Sequence, residues 1–277
     1  MAIGQLLYAM MLLACSADPR PAEFSAGERD DKTGIITHMV RSSLQSAPTE
    51  IRVLLPAKFE PDRTYPVVYV LPVEAGRENK YGDGLEEIRR QKLHEGNSAV
   101  FVAPTFARLP WYADHAQAAD LRQDTYFVDV VVPFVHKTYP VEDKPHLLGF
   151  SKSGWGAWSL LLRNPKTFGR AAAWDAPLMM ERPDRYGMGE IFGTQSNFER
   201  YQISRLLAQS GNDLGKEPRL ILLGYGNFRE HHEQTHALLD KLGIPHVYRD
   251  GPMRKHDWHS GWVSEAVADL LGDSPPK

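Results

Sequence analysis

The sequence predicts an α/β fold, a mostly parallel eight-stranded sheet with helices on both faces. Three observations lead there. Eight apolar, β-rich runs punctuate the chain. The later runs alternate with amphipathic segments of helix length, the pattern of strands joined by helical crossovers. Between them, His146-Leu147-Leu148-Gly149-Phe150-Ser151-Lys152-Ser153-Gly154-Trp155-Gly156 reads as a short apolar strand, a sharp turn carrying a serine, and a helix.

The runs cover residues 34–40, 50–55, 67–71, 99–103, 146–148, 171–174, 220–223 and 246–249. The first two suit a hairpin at one edge. The middle ones are continuously apolar, as strands buried on both faces are. Residues 124–139 place Tyr126, Val130, Phe134 and Val135 on one face of a helix. Further helices are expected over 152–163, over 230–242 before the stop signal Gly243, and over 260–271. Residues 175–214 form a long excursion between the sixth and seventh strands, an insertion suited to capping a site at the carboxyl end of the sheet.

Of the residues, 42% are hydrophobic and 24% charged, which is ordinary globular chemistry. A net charge of −3 argues against a nucleic-acid partner. The single cysteine, Cys15, excludes an internal disulfide and ends the string Leu12-Leu13-Ala14-Cys15. With the apolar run before it, this string resembles a bacterial lipobox. It implies a signal over 1–15, export to the periplasm or a membrane-anchored lipoprotein, and a lipid at Cys15. The run is too short to cross a bilayer as a mature helix. Residues 16–32 read as a tether, and 33–277 as the folded domain.

The serine turn has the layout of a nucleophile elbow, which needs small residues two places before and two after the serine. Gly149 and Ser153 fill those positions, Ser153 standing where glycine is usual. Ser151 is therefore the candidate nucleophile. The Lys152 N–H, at a helix start, is placed to face a developing oxyanion. A serine hydroxyl needs a base. His256, on the loop after the last strand, is that candidate, with His259 as its rival.

The segment Tyr65-Pro66-Val67-Val68-Tyr69-Val70-Leu71, the elbow, Leu242-Gly243-Ile244-Pro245-His246-Val247-Tyr248, and His256-Asp257-Trp258 together resemble the esterase D group of α/β-hydrolases. That group includes feruloyl esterases, S-formylglutathione hydrolases and bacterial mycolyltransferases. The resemblance spans roughly residues 50–271 and implies an α/β-hydrolase fold, with His256 as the base. Two positions depart from the group's pattern. Where its acid follows the seventh strand, this chain has Gly224-Tyr225-Gly226-Asn227-Phe228. The acid is then Asp175, directly after the sixth strand, or Asn227 acting through its carbonyl oxygen, or Glu230, or it is missing; Asp257 is expected to point elsewhere. The oxyanion turn after the third strand reads Leu71-Pro72-Val73-Glu74-Ala75-Gly76, leaving the Glu74 N–H as the second donor, with its carboxylate turned away or paired with Lys152.

Trp111 and Tyr112, after the fourth strand, are expected to form an aromatic substrate wall. His231, His232 and His236 lie on one expected helix and read as a solvated face, so no metal and no cofactor is expected. The reading is a serine hydrolase of small-molecule or carbohydrate carboxylic esters, acting through an acyl-enzyme. Its alternatives are a weak or inactive hydrolase-like binding protein, and an acyltransferase.

Overall fold

A computed structural model describes residues 22–272. Ten strands form one sheet: β1 (Glu23–Phe24), β2 (Glu28–Arg29), β3 (Ile36–Arg41), β4 (Thr49–Leu54), β5 (Val67–Val70), β6 (Val100–Pro104), β7 (His146–Phe150), β8 (Ala171–Trp174), β9 (Leu220–Tyr225) and β10 (His246–Met253). Their order is β1-β3-β4-β6-β5-β7-β8-β9-β10, with β2 also on β3. From β5 to β10 every pairing is parallel, and β1 to β4 are antiparallel to their neighbours. All eight expected strands are present. The count of eight is corrected to ten because β1 and β2 pair onto β3. Those two strands lie within the expected tether, whose described part is thus fastened to the sheet. Cys15 and the expected signal lie outside the described residues.

The helices are α1 (Gly84–Arg90), α2 (Leu93–Gly96), α3 (Gln123–Tyr126), α4 (Val132–Thr138), α5 (Ser151–Arg163), α6 (Met188–Phe192), α7 (Gln195–Glu199), α8 (Ile203–Ser210), α9 (Arg229–Leu242) and α10 (Val263–Leu271). Side-chain alternation divides the core into two halves. Along β5, Val67 and Tyr69 face one side while Val68 and Val70 face the other; along β9, Leu220 and Leu222 oppose Ile221 and Leu223 in the same way. One half packs on α5 (Trp155, Trp158, Leu161), the other on α1 and α10 (Leu85, Ile88, Val263, Val267, Leu270).

The helix expected over 124–139 carries a π-type stretch, Phe127–Val131, between α3 and α4. Its wider turn rotates the face that follows, so Phe127, Val131 and Val135 are buried, whereas Val130 and Phe134 only pack at the core's margin. The excursion between β8 and β9 holds α6, α7 and α8, and α8 packs against α5 and α9. Among the described residues no helix is long and apolar enough to cross a membrane.

Candidate active site

The carboxyl ends of β7, β8, β9 and β10 bring the site together. Between β7 and α5 the chain reverses at Ser151, whose φ is +52°. That left-handed conformation is sterically costly for a residue with a Cβ. The turn is tight enough that a Cβ on Gly149 would lie 2.3 Å from the Ser153 carbonyl oxygen, so only glycine fits there. Ser153 is tolerated because its hydroxyl folds back, accepting from the Phe150 N–H at 3.0 Å and donating to the Phe150 carbonyl at 2.9 Å. The close approach falls instead at Gly154, where a Cβ would meet Ala173 on β8 at 3.2 Å and Ala176, just past that strand, at 2.9 Å.

Asp175 follows β8 directly, is fully buried and also has a positive φ, +41°. Its carbonyl accepts the Ser151 N–H at 3.2 Å, which ties the two turns together. The carboxylate accepts the N–H groups of Asn227 (2.8 Å) and Phe228 (2.7 Å) on Oδ1, and His256 Nδ1 lies 2.5 Å from Oδ2. A Cβ on Gly226 would stand 2.7 Å from that Oδ2, so glycine is needed for the turn to wrap the carboxylate. Burial alone would raise the Asp175 pKa. Hydrogen bonds from His256 and from the Gly226, Phe228 and Asn227 amides outweigh it and hold the carboxyl below its ordinary range.

The other candidates for the acid lie elsewhere. The Asn227 residue is exposed and meets Asp175 through its backbone N–H rather than its side chain. Glu230 accepts from Gln234, and Asp257 pairs with Lys255 and accepts the His259 N–H. The rival histidine, His259, points away and bonds the buried Glu87 through Nδ1 at 2.7 Å. His256 sits among Phe150, Tyr81 and Phe228, whose ring centroids lie 5.0, 5.5 and 5.8 Å from its own. Ser151 and His256 line one cavity of about 330 Å³ with Tyr81, Lys152, Pro177, Tyr186, Asn227 and Phe228. Among the described residues no hydrogen bond joins Ser151 to His256, and the Ser151 hydroxyl has no protein partner. Such bonds are often long without substrate.

The ammonium of Lys152, the residue after Ser151, lies 3.6 Å from the Glu74 carboxylate, and both side chains are largely buried. Burial pulls the lysine below its ordinary range, and Glu74 opposes that shift. The Glu74 and Lys152 N–H groups have no acceptor among the described residues. The turn over residues 71–76, where the oxyanion donor is expected, is held by the Tyr112 hydroxyl, which donates to the Pro72 carbonyl at 2.6 Å.

Trp111 and Tyr112 do not form the expected substrate wall. Both are fully buried: Trp111 packs edge-on against Trp155 and donates to the Tyr186 carbonyl, and Tyr112 lies against Gly156, where a Cβ would meet its ring at 2.0 Å. The loop turns inward because the Gln123 side chain accepts both of their N–H groups. The cavity's aromatic wall is Tyr81, Tyr186 and Phe228, and of these only Phe228, beside the Asn227 turn, carried a signal in the sequence. The histidines of α9 also differ from a solvated face. The His232 Nε2 accepts the Ala176 N–H and His231 Nδ1 the Met179 N–H, so both brace the segment after Asp175.

The esterase family model, described as "Putative esterase", matches residues 42–202, more than half of the chain. Among solved structures the chain is similar to a ferulic acid esterase, with a TM-score of 0.69 and 19% identity over 86% of this chain and 96% of that one. It is similar to an S-formylglutathione hydrolase from Agrobacterium tumefaciens, with a TM-score of 0.65 and 15% identity over 90% and 97%. A third is the fluorophosphonate-binding serine hydrolase F of Staphylococcus aureus, with a TM-score of 0.63 and 15% identity over 91% and 99%. These likenesses show a shared α/β-hydrolase fold. No curated protein matches the chain.

Proposed function

Since the chain belongs to the esterase family, we propose that it hydrolyses carboxylic esters with Ser151 as nucleophile, His256 as base and Asp175 as acid. One observation carries the reading. A buried carboxylate, fixed by backbone amides, meets His256 Nδ1 at 2.5 Å, while that ring shares a cavity with a serine on a left-handed turn.

Ser151 Oγ attacks the ester carbonyl as His256 Nε2 takes its proton. Asp175 fixes the ring with its proton on Nδ1 and stabilises the imidazolium. The carbonyl oxygen becomes an oxyanion facing the N–H groups of Lys152 and Glu74. Collapse of the tetrahedral intermediate breaks the bond to the alcohol, which leaves with the proton from His256, and Ser151 keeps the acyl group. Water then attacks the acyl-enzyme and gives a proton to His256; as this second intermediate collapses, the bond to Ser151 Oγ breaks, His256 returns the proton to that oxygen, and the acid leaves. The substrate is a small-molecule or carbohydrate ester in contact with Tyr81, Tyr186 and Phe228. The reading includes export, with a lipid on Cys15.

A fluorophosphonate probe tests the nucleophile. One adduct is expected, on Ser151 by peptide mass spectrometry, and Ser151→Ala should abolish both labelling and turnover of p-nitrophenyl esters. An adduct on Ser153, or an unlabelled protein that turns over no ester, overturns the proposal. For export, a mature protein beginning at Met1 overturns the signal, and unchanged membrane partitioning of Cys15→Ala overturns the lipid.

A further inference from the structure

We propose that His236, Asp240 and His246 form a zinc-binding site fastening the end of α9 to the start of β10. The ligand atoms these three residues offer all lie within 4.8 Å of one another. The local sequence and the pairing of β10 with β9 bring them together. His236 and Asp240 are four apart on α9 and share a face. The helix then stops at Gly243, whose φ of +67° lets its N–H reach back to the Asp240 carbonyl. Three residues later the returning chain presents His246 to that same last turn.

One imidazole, His246, is already arranged as a ligand, and its Nε2 now accepts the His236 Nδ1–H, a hydrogen bond that a metal would replace by taking that proton's place. The His246 Nδ1–H donates to the Ile244 carbonyl at 2.9 Å, which leaves Nε2 as the lone-pair nitrogen of the neutral ring. A carbonyl on the far nitrogen is the usual support for a metal-bound histidine. That Nε2 lies 2.8 Å from His236 Nδ1 and 4.0 Å from Asp240 Oδ1, and Asp240 Oδ2 is 3.5 Å from His236 Nε2. Nitrogens on one tetrahedral zinc, at about 2.0–2.1 Å from it, lie about 3.3 Å apart, so the rings need open by only about half an ångström. His236 is half-buried with one face stacked on Tyr248, and Asp240 is exposed and free to swing. Two imidazole nitrogens and one carboxylate oxygen suit zinc, with water in the fourth position.

His246 begins β10 and His256 follows its far end, while α9 starts beside the amides that hold Asp175. The cation would therefore brace the two elements flanking the site from their opposite ends, without entering the chemistry. This departs from the expectation that the chain holds no metal. His232, one helical turn before His236, takes no part, since it is turned inward onto the Ala176 N–H.

Isothermal titration of the metal-free protein with zinc chloride tests the site. The unaltered chain should bind zinc. His236→Ala and Asp240→Asn, both on the outer part of α9, should each weaken one equivalent by at least about tenfold, with unchanged circular dichroism. Zinc should raise the thermal midpoint of the unaltered chain and not that of His236→Ala, and cobalt should give a tetrahedral visible spectrum that this variant lacks. No zinc binding, or equal stoichiometry and affinity in the folded variants, overturns the proposal.

Discussion

Replacing Asp175 by Asn changes one atom of the proposed triad and tests the acid directly. Oδ1 accepts two N–H groups, from Asn227 and Phe228, and an amide nitrogen placed there would set donor against donor. The amide oxygen therefore keeps the Oδ1 position, and the NH2 group takes the place of Oδ2, facing His256 Nδ1. The ring can answer that donor only by carrying its own proton on Nε2. The nitrogen meant to accept the Ser151 proton then has no lone pair, and no carboxylate remains to stabilise the imidazolium. The corresponding change in a serine protease costs about 10⁴ in turnover, or roughly 5 kcal/mol of transition-state stabilisation. Asp175→Asn should thus lower kcat toward p-nitrophenyl acetate by three to four orders of magnitude, roughly that protease's loss. Asn227→Ala keeps the backbone N–H that touches Asp175 and should change kcat by no more than a factor of about two to three. Thermal midpoints of both variants separate a chemical effect from a folding defect. Activity of a folded Asp175→Asn within tenfold of the unaltered chain, or a larger loss in Asn227→Ala, refutes the assignment.

Two further outcomes follow from titratable groups that the fold keeps largely out of water. Lys152→Ala leaves the Glu74 carboxylate unpaired beside the oxyanion position and should lower kcat/KM about tenfold. The added change Glu74→Gln should restore most of it, a coupling on the order of 1 kcal/mol, whereas simply additive losses would contradict the pairing. Stability should also fall on mild acidification, because burial pushes His232 and His146 down to about 4. The unfolded chain binds these protons near the ordinary histidine range and the folded chain does not, so stability is full above about pH 7 and declines as pH drops from about 6.5 toward 4. Each histidine accounts for about 3 kcal/mol across that window. The carboxyl of Asp175, held low, adds its loss only at more acid pH. A thermal midpoint that stays level from pH 7 to 5 would contradict these buried neutral histidines.

The parts of this molecule legible in the sequence are those fixed by local pattern. Continuous apolar runs gave the eight longer strands, because a strand covered on both faces has no polar side to show. The serine turn was legible because its geometry restricts residue size, and Asp175 because it abuts a strand end. What stayed hidden depends on contacts distant in sequence. Glu23–Phe24 and Glu28–Arg29 carry no apolar alternation and become strands only by pairing with β3. Trp111 and Tyr112 looked like a site wall until Gln123 drew their loop into the core. Tyr81 and Tyr186 reach the cavity from loops with no motif of their own.

The proposed placing of the acid at Asp175 has a simple physical basis. Strands β8 and β9 are parallel neighbours, with Trp174 in register with Leu223, so the turns leaving them meet at one edge of the cavity. What His256 requires is a negative charge at Nδ1, and which of the two turns carries it is immaterial if the other solvates it. Here the turn after β9 has no carboxylate at Asn227 and gives N–H groups instead, while the turn after β8 gives the charge. A carboxylate buried without those donors would take up a proton and cease to orient the ring. The two turns are therefore interdependent. Strain fits the same account: of the six non-glycine residues with positive φ among those described, Ser151, Asp175 and Tyr186 are at the site and Tyr112 braces the turn over residues 71–76. Each such conformation costs on the order of 1–3 kcal/mol and persists only where surrounding bonds enforce it. Two of them, Ser151 and Tyr186, line the cavity and the other two hold the turns behind it, so strain is concentrated where the fold gives up stability to hold groups in place.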